Sequence, residues 1–178
     1  MRFTKQKKSE QDKKPNMDCI NLLTSILICY PEISIITFEP EAEEVHLNYT
    51  VNKSMSEAER TNLKNFFMDS MEAYHYLEGT EPQIIRISLT VHDKITFIDV
   101  KRDVKTFSHG EIRLFSELLK EKFGNSIGDE SDRVPLIDSS VLAQSELIDT
   151  MLGSIKINPV GEKMIGIRED GRVIVYNK

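Results

Sequence analysis

No stretch of this sequence stays apolar long enough to cross a bilayer. The longest run, around Ile26 to Tyr30, is interrupted upstream by Thr24 and Ser25 and stopped by Pro31, far short of the roughly 20 residues a spanning helix needs. No apolar region follows the basic N-terminus before Pro15, so the start of the chain lacks the pattern of a secretory signal. Cysteine is almost absent: Cys19 and Cys29 are the only two. On one helix, at roughly 1.5 Å per residue, they lie about 15 Å apart, beyond disulfide reach. They are expected as buried thiols in a reducing compartment. These absences together lead to the expectation of a soluble, cytoplasmic protein. Asn48-Tyr49-Thr50 and Asn52-Lys53-Ser54 fit the glycosylation sequon, but such triplets are common by chance and are read as structural.

Glycine is scarce as well, with eight in 178 residues and none forming a dinucleotide fingerprint. Gly161 and Gly166 have P-loop spacing, yet Ile167 and Arg168 follow where Lys and Ser or Thr must hold phosphate and magnesium. Paired-cysteine and His-Glu-x-x-His motifs are missing, and so is a Gly-x-Ser-x-Gly elbow. Glu72-Ala73-Tyr74-His75 has di-iron spacing but occurs once, whereas that chemistry needs it twice. The plain reading of His75 is a helix-surface histidine. His109 opens a helix and is weighed as a titrating group against an exposed first-turn residue. Glu111 is read as a cap and Asp93 as a turn residue. No catalytic residue, metal or cofactor is expected.

What is present is a charge asymmetry and a clear run of folding signals. Residues 1–16 carry Arg2, Lys5, Lys7, Lys8, Lys13 and Lys14 against Glu10 and Asp12, a net +4. The rest of the chain therefore holds −10 within an overall charge of −6. Residues 1–16 read as a flexible basic tail on an acidic body. Met17 to Tyr30 then reads as an apolar helix. Ile33 to Phe38 and Val45 to Val51 make a hairpin, the second strand alternating with His46, Asn48 and Thr50. Ser56-x-x-Glu59 is a capping box opening a second helix, whose expected apolar face is Leu63, Phe66, Phe67, Met71, Tyr74 and Leu77, with Gly79 its stop.

A second hairpin follows: Ile85 to Val91 alternates, His92-Asp93-Lys94 turns, and Ile95 to Val104 returns. The return strand reads Ile95 and Phe97, then Ile98 and Val100, an apparent change of phase that predicts a bulge or a strand covered on both sides. Phe97 takes the phase of a core residue. Another capping box, Ser108-x-x-Glu111, opens a third helix ending at Gly124. Polar residues from Asn125 to Arg133 read as a linker, and Val141 to Ile155 as a helix with the stripe Ile148, Met151, Leu152 and Ile155. Asp170-Gly171 is a type I′ hairpin tip that pairs Glu169 with Arg172, Ile167 with Ile174 and Ile165 with Tyr176.

The resulting expectation is an α+β fold. Its antiparallel sheet is built from hairpins with helices packed on one face, in the order helix, hairpin, helix, hairpin, helix, then a C-terminal helix and hairpin. Residues 17–125 form the core, 126–137 a linker, and 138–178 a helix-hairpin unit docking on the core or on a partner. The functional expectation is a non-catalytic binding or regulatory protein acting through protein contacts, with Ile165, Ile167, Ile174 and Tyr176 at the contact. A homo-oligomer is compatible with the sequence. The alternative is an RNA- or ribosome-associated factor using Lys5, Lys7, Lys8, Lys13 and Lys14 of the tail, with Arg86, Lys94, Lys101, Arg102 and Lys105 of the second hairpin. Asp93, Asp99 and Asp103 interleave with those cations. A third reading is an enzyme whose site is assembled from scattered residues.

Overall fold

The structure, a computed structural model, describes residues 17–128, 138–158 and 161–178. The tail lysines therefore lie outside the described residues, as does most of the polar stretch after Gly128. In chain order the elements are α1 (Met17–Cys29), β1 (Ile33–Glu39), β2 (Glu44–Val51), α2 (Glu57–Glu78), β3 (Ile85–His92), β4 (Ile95–Asp103), α3 (His109–Phe123), a 3-10 turn (Gly124–Ser126), α4 (Asp138–Ile157), β5 (Met164–Glu169) and β6 (Arg172–Asn177). The six strands form one antiparallel sheet in the order β3-β4-β2-β1-β5-β6. Ile127, just beyond α3, is buried and bridges Val51 at the end of β2.

All four helices lie on one face. Gly166 of β5 and Ile36 of β1 are paired and sit beneath Leu23 and Leu27 of α1. A Cβ on Gly166 would come within 2.9 Å of Leu27 Cδ1 and 3.2 Å of Ile36 Cγ2, so only glycine lets helix and sheet approach this closely. Tyr49 of β2 meets Phe115 of α3 with ring centroids 5.2 Å apart, and Phe115 stacks on Phe67 of α2 at 4.3 Å. Phe38 of β1 contributes to a cleft with Ile155 of α4. Register carries this face across the sheet as Phe38 beside Val45 and Ile36 beside Leu47, then as Leu47 beside Val100.

The helices bury the expected stripes with one correction. In α4 Ile148, Met151, Leu152 and Ile155 are all buried. In α2 the buried stripe is Leu63, Phe67, Met71 and His75, while Leu77 and Phe66 face solvent and Tyr74 is half-buried. A four-residue step keeps to one helix face, and that step leads to His75 rather than to Leu77.

Strand β4 also differs from expectation. It contains no bulge: Thr96 to Asp103 pair without interruption with β2, and Ile95 to Arg102 with β3. The inner positions are Thr96, Ile98, Val100 and Arg102, all buried, whereas Phe97 is 37% exposed on the other side. A threonine and an arginine occupy core positions and an aromatic does not, so apolarity alone misreads the phase of a regular strand.

Candidate functional site

Arg102 is fully buried where a solvated basic strand face was expected, so it belongs to the interior and not to a nucleic-acid surface. Its guanidinium grips Glu111 of α3 in a bidentate pair, Nε to Oε2 at 2.7 Å and Nη2 to Oε1 at 2.8 Å. Nη1 donates to Asp103 at 2.6 Å and to the Ile84 carbonyl, and Nη2 donates to Thr106 at 2.9 Å. Glu111 is likewise buried. Capping is therefore not the role of its carboxylate, although its N–H does donate to Ser108 Oγ at 3.3 Å.

His75, also buried and not on the helix surface, lies 3.2 Å from Glu111 through Nε2 and 2.7 Å from Thr80 Oγ1 through Nδ1. Burial lowers its pKa and outweighs the opposing pull of Glu111. The neutral ring then accepts from Arg102 Nη2 through Nε2 at 3.4 Å and donates Nδ1–H to the Thr80 hydroxyl. Burial works to raise the pKa of Asp103. Hydrogen bonds from Thr106, the Ile84 N–H and Arg102 hold it well below the usual carboxylate range. Every charge in this cluster is paired, and the cluster ties β4 to α2 and α3.

His109 is buried as well, and is not an exposed first-turn residue. Its Nε2 lies 2.6 Å from the Tyr30 hydroxyl and its Nδ1 3.3 Å from Asp149, joining the start of α3 to the end of α1 and the middle of α4. Burial pushes the Tyr30 hydroxyl and the Cys19 thiol up to about 12 each, which makes both poor nucleophiles at neutral pH. Among the described residues no three His, Cys, Asp or Glu side chains are grouped as metal ligands, and no helix is long and apolar enough to cross a membrane.

The candidate surface is the face of the sheet that carries no helix among the described residues. Its rows follow from the register. One runs Ser88, Asp99, Asn48, Ile35, Ile167, Ile174, and the next Arg86, Lys101, His46, Thr37, Ile165, Tyr176. The face is thus divided. On β1, β5 and β6 it is aliphatic and aromatic: Ile174 is 44% exposed, Tyr176 43% and Ile35 38%, with Ile165 and Ile167 half-buried. On β2, β4 and β3 it is polar, with Phe97 exposed in the row Thr90, Phe97, Thr50.

The acids of the polar half are already engaged. Asp99 accepts from the Asn48 amide, and Glu44 pairs with His46 at 2.8 Å. Arg86 and Lys101 make no ion pair with another described residue. The structure thus groups Ile165, Ile167, Ile174 and Tyr176, adds Ile35 and Thr37, and puts Lys101 and Arg86 further along the same row, beyond His46 of β2. Lys94 lies apart at the β3–β4 turn and Lys105 beyond the end of β4, both exposed. Ile35 went unnoticed because Ile33 to Phe38 reads as a β-branched strand without a clear alternation, and the register shift between Ile33 and Ile35 turns Ile35 outward. Comparison with protein-family models, curated proteins and solved structures finds no match for this chain.

Proposed function

We propose that this chain is a non-catalytic binding protein whose working surface is the helix-free face of its sheet. The partner is a protein segment that sets aliphatic side chains on Ile35, Ile167 and Ile174 and carboxylates opposite Lys101 and Arg86. The single observation behind this reading is an open aliphatic half-face whose row continues across the sheet to Lys101 and Arg86, neither of which makes an ion pair with another described residue. Large exposed apolar patches rimmed by polar residues are characteristic of contact sites, and the rim charges would guide encounter and set register.

The test is a photo-crosslinking side chain placed in turn at Ile35, at Ile174 and, as a control, at Leu147 on α4. The expected result is a nuclease-resistant protein adduct from the first two positions only, lost on Ile167→Lys and weakened by Lys101→Glu. Adducts of equal yield from Leu147, or adducts indifferent to Ile167→Lys, would overturn the reading.

One observation favours RNA as a second reading: Phe97 is exposed on the same face as Lys101 and Arg86, two residues beyond Asp99 along β4, where its ring is open to stack a base. It predicts salt-sensitive binding of single-stranded RNA that Phe97→Ala weakens, read by fluorescence anisotropy. Binding unaffected by Phe97→Ala or by salt would sink it.

A further inference from the structure

We infer that two copies of this chain associate edge to edge through β6, antiparallel about a two-fold axis at Ile174, joining their sheets into one. Strand β6 ends the sheet, and among the described residues it pairs with β5 alone. Sheet edges are ordinarily blunted by proline, charge or a bulge. From Val173 to Tyr176 this edge has none of these, and its pairing with β5 is regular throughout.

The two-residue turn at Asp170-Gly171 fixes which backbone groups are spoken for. Glu169 and Arg172 flank it, so Arg172, Ile174 and Tyr176 exchange their hydrogen bonds with β5. The Lys178 N–H continues that alternation, donating to the Lys163 carbonyl at 3.0 Å. The N–H and C=O groups of Val173 and Val175 therefore point away from the sheet.

An axis at Ile174 sets Val173 opposite Val175 of the second copy, so the outward groups of each satisfy those of the other. The same register sets Arg172 against Tyr176 of the second copy, a guanidinium over a ring. It also brings Asp170 towards Lys178 of the second copy, opposite charges on both sides of the axis. A register one residue further along, centred on Val175, would instead oppose Arg172 to Lys178. Charge thus selects the first. Val173 and Val175, only partly covered on the helical side, cover each other, and the two Ile174 side chains meet on the open face. This association does not depend on the partner reading above.

Sedimentation velocity on the full chain, from about 1 to 200 μM, reads the outcome directly. A concentration-dependent species of twice the chain mass is expected. Val175→Pro removes an outward N–H without touching the bonds to β5 and should raise the dimer Kd at least tenfold. If that variant perturbs the hairpin, Lys178→Glu decides. It sets like charges opposite Asp170 and should raise Kd severalfold at low salt, with Asp170→Asn in the same chain recovering most of the loss. A monomer across the whole range would overturn the inference, as would a dimer whose Kd neither Val175→Pro nor Lys178→Glu shifts.

Discussion

Ser56-x-x-Glu59 and Ser108-x-x-Glu111 share a spacing and a position at the head of a helix, and they end in different work. At α2 both halves of the reciprocal cap form: Ser56 Oγ accepts the Glu59 N–H at 3.2 Å, and Glu59 accepts the Ser56 N–H at 2.8 Å. That glutamate stays in solvent, also takes Lys53 at 3.0 Å, and has its pKa drawn down to about 2, chiefly by the Ser56 N–H. At α3 only the serine half forms, because the glutamate leaves for Arg102 inside the protein. The first cap faces water, whereas the second faces an inward-pointing cation on β4. A four-residue motif fixes where a helix begins, while the surface it meets decides what its glutamate does.

The comparison breaks most easily at the glutamates. Glu111→Ala strands Arg102 as a buried, unpaired charge and should cost about 3–5 kcal/mol in urea denaturation. Glu59→Ala loses two exposed hydrogen bonds, from the Ser56 N–H and Lys53, and should cost about 1 kcal/mol; equal losses would mean the two sites are alike after all. Arg102→Met combined with Glu111→Leu removes both charges together and should recover most of the Glu111→Ala loss.

Acid sharpens the contrast further. The lowered pKa of His75 means that the unfolded chain binds a proton near pH 6.5 that the folded ring refuses. Stability is therefore held above that pH and falls as pH drops from 7 towards 5, and His75→Gln should flatten this part of a stability–pH curve. Asp103, with its depressed pKa, adds a second loss below about pH 4. Ser56→Ala should cost about 1 kcal/mol, and Ser108→Ala somewhat more, since Ser108 Oγ also bonds the Tyr74 hydroxyl at 2.9 Å. Smallest of all, Phe97→Thr should change stability by no more than about 0.5 kcal/mol, as its ring is on the open face.

Local signals were the readable ones. Asp170 and Gly171 both have positive φ, as the type I′ tip requires, and the pairs expected around them form. The Gly79 stop is a left-handed cap, and the α4 stripe is buried as its spacing implies. What could not be read were the places where polarity and position part company. Arg102 and Glu111 are acceptable in the core only because each supplies the other's counter-charge from a different element, and strand periodicity contains no information about that. His75 was hidden for the same reason. In the aliphatic half of the open face Ile35 escaped notice because it owes its exposure to a one-residue slip in register, which leaves no mark on composition.

The position of β1 has a consequence for how the chain is made. Its partner on one side, β2, follows almost at once, but its partner on the other, β5, lies near the far end of the sequence. During synthesis β1 must wait as the margin of a four-stranded sheet, with Ile36 and Phe38 short of the cover that Gly166 and Met164 later complete. Such a margin is a template for the wrong strand, and pairing between distant segments is slow to form. The interval between the emergence of residue 39 and that of residue 169 is therefore the period in which this protein has most need of a chaperone or of dilution.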